Sequence, residues 1–100
     1  MKYLLQMDFP YRGPFGDDFY KQMKELAEDI ATETGLIYKL WTENATTQEA
    51  GGIYVFGNLE DANRYQAKHT ERLESFGFTG IRAKTFIINE ALSAITKASV

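Results

Sequence analysis

Hydrophobic and polar residues alternate along this chain with two different periods, and the switches between them mark out its elements. Residues 2 to 9 set Tyr3, Leu5, Met7 and Phe9 against Lys2, Leu4, Gln6 and Asp8, the two-residue period of a strand. The next stretch, Phe9-Pro10-Tyr11-Arg12-Gly13-Pro14-Phe15-Gly16, carries both prolines of the chain and two glycines, and it reads as a loop. After Asp17 or Asp18, either able to cap a helix, Phe19, Met23, Leu26 and Ile30 recur at helical spacing while Lys21, Lys24, Glu25, Glu28 and Asp29 face water. Gly35 suits the left-handed residue that ends such a helix.

Two strands follow that are apolar on both faces. In Leu36-Ile37-Tyr38-Lys39-Leu40-Trp41 the alternation sends Tyr38 and Leu40 to one side and Ile37 and Trp41 to the other, and in Gly52-Ile53-Tyr54-Val55-Phe56 it opposes Tyr54 and Phe56 to Ile53 and Val55. The first is expected to run to about Asn44, the second from Gly51 to Phe56, and the polar turn Ala45-Thr46-Thr47-Gln48-Glu49-Ala50 joins them as an antiparallel hairpin. Asn58 is a good cap for a second helix, with Asp61 placed to reach back to it. Leu59, Ala62, Tyr65, His69, Leu73 and Phe76 form the buried stripe, and Gly77 is the second helix terminator. A last strand from Thr79 to about Asn89 carries Ile81, Ala83 and Ile87 on one side and Phe86 and Ile88 on the other. Leu92 and Ile95 give the tail from Glu90 to Ala98 the spacing of a short C-terminal helix.

The order strand, helix, strand, strand, helix, strand is the split βαβ, or ferredoxin-like, α+β motif, and residues 1–100 are expected to form a single domain of this kind. Both helices then lie on one face of a four-stranded antiparallel sheet. With roughly eight to ten apolar side chains on the other face, each worth about 1.5 to 3 kcal/mol when buried, a lone subunit would forfeit much of the stability of a domain. Two sheets packed face to face as a homodimer, a dimeric α+β barrel, remove that cost.

Composition narrows the function classes. The chain is 44% hydrophobic and 14% aromatic, which is ordinary for a globular protein and argues against disorder. A net charge of −3, with eleven basic residues scattered along the chain, leaves no basic cluster for nucleic acid. The absence of cysteine removes disulfides, thiolate metal sites and a cysteine nucleophile, and a single histidine cannot complete an imidazole metal site. No run approaches 18 apolar residues and the N-terminus turns polar too early for a signal peptide, so no membrane partner and a cytoplasmic location are expected. Gly51-Gly52 leads into a strand rather than a helix, so it is no phosphate loop, and no nucleotide fingerprint occurs elsewhere.

The order of elements, the loop Phe9 to Gly16, the segment Leu40-Trp41-Thr42-Glu43-Asn44 and the strand Gly51-Gly52-Ile53-Tyr54-Val55-Phe56 together resemble the bacterial YdhR family of small monooxygenases. That family sits in the dimeric α+β barrel superfamily beside cofactor-independent monooxygenases of antibiotic biosynthesis. The resemblance covers essentially the whole chain. It implies a cytoplasmic homodimer that oxidises small aromatic compounds with dioxygen and needs no cofactor. The chain departs from the antibiotic-biosynthesis enzymes in that Asn44 follows Trp41 rather than preceding it.

Each candidate site residue has a plainer alternative. Trp41 could donate its indole N–H to a phenolate oxygen, or pack across the dimer seam. His69 would suit a general base near neutral pH, or be a core histidine with one hydrogen bond. Asn44 could orient a substrate carbonyl, though an Asn before a polar turn commonly serves the turn. Tyr38 and Tyr54, on neighbouring strands, could wall a flat pocket or simply pack. Arg82 could meet an anionic oxygen or pair with Asp8, and the aromatic residues Tyr11 and Phe15 suit a lid over an apolar cavity. Without a flavin or metal motif in the sequence, an electron-rich phenol or anthrone would itself have to reduce dioxygen while the protein supplied a dry cavity and fixed donors. The alternative function is a noncatalytic dimeric module that binds an apolar or aromatic metabolite.

Overall fold

A computed structural model describes all of residues 1–100. The elements are β1 (Tyr3–Pro10), α1 (Asp17–Ile30), β2 (Leu36–Asn44), β3 (Glu49–Phe56), α2 (Leu59–Ser75), β4 (Arg82–Ile87) and α3 (Glu90–Ile95). The four strands form one antiparallel sheet in the order β2-β3-β1-β4, which is the ferredoxin-like arrangement with a short C-terminal helix.

The helix signals act where the sequence places them, with three differences, one being that Ala31 ends α1 and Gly35 belongs to the turn into β2. Asn58 accepts from the Asp61 backbone N–H at 2.8 Å, and its own amide donates to the Asp61 carboxylate at 2.7 Å, so Asp61 reaches back to the capping side chain rather than to its backbone. At α1 the cap position is Gly16, and Asp17 and Asp18 fall inside the first turn, where their charge favours the positive end of the helix dipole. The Gly16 N–H donates instead to Glu43 from the end of β2, at 2.7 Å. The last strand is shorter than its pattern suggests. Gly80 has φ +68° just before it, and Asn89 beyond it caps α3.

Register decides which residues face the helices. Leu5 pairs with Tyr54, Met7 with Gly52 and Phe9 with Ala50, and all six lie on the covered face. Beneath α1 and α2 they join Phe19, Ile30, Phe56, Ala62, Tyr65 and Leu73 in one core. A bulge at Leu36/Tyr38 takes Ile37 out of the alternation and leaves it 46% exposed. Beyond the bulge Lys39 and Trp41 point to the helices, opposite Tyr54 and Gly52, while Tyr38 and Leu40 point away, opposite Val55 and Ile53.

The uncovered face is therefore less apolar than its pattern suggests. Its apolar members are Leu4, Tyr38, Leu40, Ile53, Val55 and Phe86, six rather than eight to ten, because Ile37 leaves the series and Trp41 lies on the other side. The far end of the same face is polar, with Asp8, Arg82 and Lys84.

Candidate functional site

Between the sheet and the helices lies a cavity of about 20 Å³. Its wall is mostly apolar: Met7 and Phe9 from β1, Phe19, Met23 and Leu26 from α1, and Leu73 and Phe76 from the end of α2. Lys39, Trp41, Tyr54 and His69 complete it. Outside it, along the gap between α1 and the edge strand β2, run two hollows of about 540 and 280 Å³ that share Ala27, Ala31 and Trp41 and so make one trough. Lys39 and Trp41 line both the cavity and the trough.

Lys39 is the unusual member. Its strand is at the sheet edge and its backbone is partly exposed, yet the ammonium group is folded inward, 3.3 Å from the centre of the Trp41 ring and 4.6 Å from that of Tyr54. Cation–π attraction holds it there, and no carboxylate pairs with it. Burial first, and the positive charge of Arg72 second, lower its pKa from 10.5 to about 7. The lysine thus exchanges protons at neutral pH.

His69 behaves in the opposite way. It is 3% exposed, stacked on Tyr65 with ring centres 5.1 Å apart. Its Nδ1 accepts from the Arg72 guanidinium, at 3.2 Å from Nε and 3.0 Å from Nη2, and Asp29 of α1 holds Arg72 in place at 2.9 Å. A lone pair used at Nδ1 puts the imidazole proton on Nε2. Burial, then Lys39 and Arg72, lower the His69 pKa to about 3. It stays neutral, with an N–H free to donate, and of the two groups only Lys39 changes its protonation near neutral pH.

Two buried tyrosines stand behind this pair. Burial raises the pKa of Tyr54 strongly and that of Tyr65 to about 12, so both keep their protons. The Tyr65 hydroxyl is enclosed without a hydrogen-bond partner, since the nearby Tyr54 hydroxyl and Arg72 guanidinium influence it without reaching bonding geometry.

Of the residues singled out from sequence, Trp41, Tyr54 and His69 come together at the cavity, and the others do not. Asn44 lies at the hairpin tip, exposed, with its Oδ1 accepting from the Thr46 and Thr47 N–H groups at 3.0 Å each, so its side chain serves the turn. Tyr38 is on the opposite face of the sheet from Tyr54 and shares no wall of the cavity with it, and it lines the smaller hollow of the trough instead. Arg82 is also on that face, paired with Asp8 and Glu49 at 2.5 Å. Tyr11 is buried and donates to the Pro14 carbonyl at 2.9 Å, with Phe15 and Phe19 each 5.4 Å away. Tyr11 and Phe15 thus close the end of the core, and of that loop only Phe9 lines the cavity. Sequence reasoning passed over Lys39, Arg72 and Asp29. The available signal was parity, because Lys39 is two residues from Trp41 and must share its face. No three His, Cys, Asp or Glu side chains gather to hold a metal ion.

A twisted antiparallel sheet of order β2-β3-β1-β4, two helices on one face and an apolar cavity between them define a ferredoxin-like α+β protein with an interior site. Within that class, the chain belongs to the family described as "Putative mono-oxygenase ydhR", whose model matches residues 4–99. Solved structures of similar fold include SnoaB, a cofactor-independent oxygenase from Streptomyces nogalater, in its N63A mutant form. It is 15% identical, with a TM-score of 0.62 over 88% of this chain and 93% of that one. The protein YJCS is 16% identical, with a TM-score of 0.62 over 88% of this chain and 98% of its own. A "putative antibiotic biosynthesis monooxygenase" from Deinococcus radiodurans is 12% identical, with a TM-score of 0.56 over 89% and 93%. At these identities the likeness is one of fold. No curated protein matches the chain.

Proposed function

We propose that this protein is a cofactor-independent monooxygenase that oxidises a small electron-rich aromatic compound, a phenol or anthrone, with dioxygen, and that it acts as a cytoplasmic homodimer. Family membership supports the reaction class. The observation that carries the reading is Lys39, an unpaired amine with a pKa of about 7 against the only tryptophan, at the boundary between an apolar cavity and an open trough.

The chemistry follows from those groups. A neutral Lys39 amine takes the proton of the substrate, leaving an aromatic anion beside a new ammonium. One electron passes from the anion to dioxygen, giving a substrate radical and superoxide. Their recombination forms the C–O bond of a peroxide, which loses water. The CH₂ between the rings of an anthrone, or the para C–H of a phenol, thereby becomes C=O, and one dioxygen ends as one carbonyl oxygen and one water. His69, fixed as the Nε2–H form, and the indole N–H of Trp41 are donors for the developing oxyanion, and the apolar wall excludes competing water.

The dimer rests on the apolar residues of the uncovered sheet face that stay accessible, above all Leu40 at 56% and Phe86 at 50% exposed, since Val55 among them is already enclosed, and on Leu92 and Ile95 of α3, which are more exposed still.

The test is oxygen consumption by purified protein given anthrones and substituted phenols without added flavin or metal. One dioxygen consumed per quinone formed is the expected result. Binding without oxygen consumption would replace the enzyme with a carrier of aromatic metabolites.

A further inference from the structure

We propose that the inner cavity is a dioxygen site, separate from the place of the aromatic substrate, which lies in the trough between α1 and β2. The assignment deepens the monooxygenase reading and rests on it for the identity of the second reactant.

Size separates the two compartments. A cavity of about 20 Å³ has room for one small species, since a single water needs roughly 10–15 Å³ by this measure. An aromatic ring does not fit, as a cavity that takes benzene is on the order of 150 Å³. The larger hollow of the trough, about 540 Å³, is of the size that small-molecule sites have. Phe19, Met23 and Trp41 line both spaces and form the wall between them.

Chemistry separates them as well. A trapped water needs two to four polar partners. Here the Lys39 ammonium lies on the Trp41 and Tyr54 rings, and the His69 Nδ1 is engaged by Arg72. That leaves the His69 Nε2–H and the Trp41 indole N–H as donors on a wall otherwise built from Met7, Leu26, Leu73 and aromatic rings, and nearly all of the surface the cavity presents is apolar. Such a space favours a small apolar molecule over water.

The placement also suits the electron transfer. Dioxygen gains a negative charge when the substrate anion reduces it, and it gains that charge beside the Lys39 ammonium that has just taken the substrate proton. At short range in an apolar site such a pair is strongly attractive. The reduced oxygen then crosses between the Phe19, Met23 and Trp41 side chains to bond the substrate radical, and the proton on Lys39 leaves with the water released. Electrons balance within the pair of reactants.

The experiment uses dioxygen itself as the probe. Protein carrying ¹³C-labelled Met, Leu and Val methyl groups is equilibrated under increasing oxygen pressure, and paramagnetic relaxation is read at each methyl. The expected result is several-fold greater enhancement at Met7 and Leu73, which line the cavity, than at Leu5 and Val55, which are buried to within a few per cent of the same degree but do not line it. Leu26→Phe, which fills the space, should bring Met7 and Leu73 to the level of Leu5. Uniform enhancement across all buried methyls, or a water-to-His69 Nε2–H cross-relaxation peak showing a resident water, would overturn the assignment. The wild-type measurement stands even if the variant does not fold. Localised oxygen without turnover of any aromatic compound would support the pocket and count against the monooxygenase reading, which keeps the two failures apart.

Discussion

At the scale of single residues, Lys39 combines a stability cost with a chemical opportunity. Its pKa is about 7 folded and 10.5 in a free chain, so between those values the unfolded state holds a proton that the folded state lacks. Stability therefore rises with pH from about 7 to about 10, by about 1.4 kcal/mol per pH unit at most, and the full cost is borne below pH 7. His69 acts in the same direction at lower pH. Its pKa falls from 6.5 to about 3, so stability is lost as pH drops through that interval. Lys39→Met keeps the length of the side chain and removes the buried charge. It should raise the thermal midpoint at pH 6 by about 5 °C or more, and abolish oxygen consumption at every pH. In the wild type, kcat/KM should fall as pH drops below about 7 and Lys39 becomes protonated. A variant both less stable and fully active would remove Lys39 from the mechanism.

At the scale of elements, the site depends on how closely β2, β3 and β1 approach. Gly52 faces the helices between Met7 and Trp41, and a methyl group there would stand 2.6 Å from Lys39 Cε and 3.2 Å from both Tyr54 Cε1 and the Leu40 carbonyl oxygen, which would have to give by a few tenths of an ångström. The Lys39 end is flexible, so Gly52→Ala should fold with a thermal midpoint within a few degrees of the wild type while pushing the ammonium off the indole. The expected readouts are a change in tryptophan fluorescence and a loss of kcat/KM of roughly 100-fold or more, the usual scale for one positioned acid or base. The neighbouring Gly51 differs because its methyl would meet the Met7 carbonyl and Asp8 Cα, which are backbone and cannot yield. Gly51→Ala should therefore lower stability severely. Much of this level was legible in sequence: the caps at Asn58 and Gly77, the helical stripes, and the alternation in β1 all act as their spacing says, whereas Gly35 serves the turn into β2 and Ala31 ends α1. The bulge at Ile37 was not, because a strand gains an extra residue from its pairing with a neighbour and not from its own pattern.

At the scale of the whole molecule, one face of the sheet is satisfied within the chain and the other is not. Leu40, Ile53 and Phe86 lie together across β2, β3, β1 and β4, with an ionic group of Asp8, Glu49 and Arg82 toward one end. Packing two such faces about a two-fold axis would bury the apolar half and leave the charged groups near the rim. Leu40→Glu combined with Phe86→Glu should turn a sedimenting dimer into a single subunit with unchanged far-ultraviolet circular dichroism, since both side chains are half exposed in one chain. A wild-type protein that sediments as one subunit at micromolar concentration would end the dimer reading.

The amino-acid sequence alone determined the order and type of the elements, the ends of α2 and the existence of a sheet with apolar residues on both sides. These are consequences of periods of 2 and 3.6 residues and of local capping, and such effects act over a few positions. Only the tertiary structure decided which tyrosine shares a face with Trp41, that Asn44 belongs to a turn and Arg82 to the outer face, and that Lys39 rather than His69 titrates near neutrality. Register and desolvation make those choices. Both are sums over residues as far apart as Met7, Asp29, Lys39 and Arg72, which no window along the chain brings together.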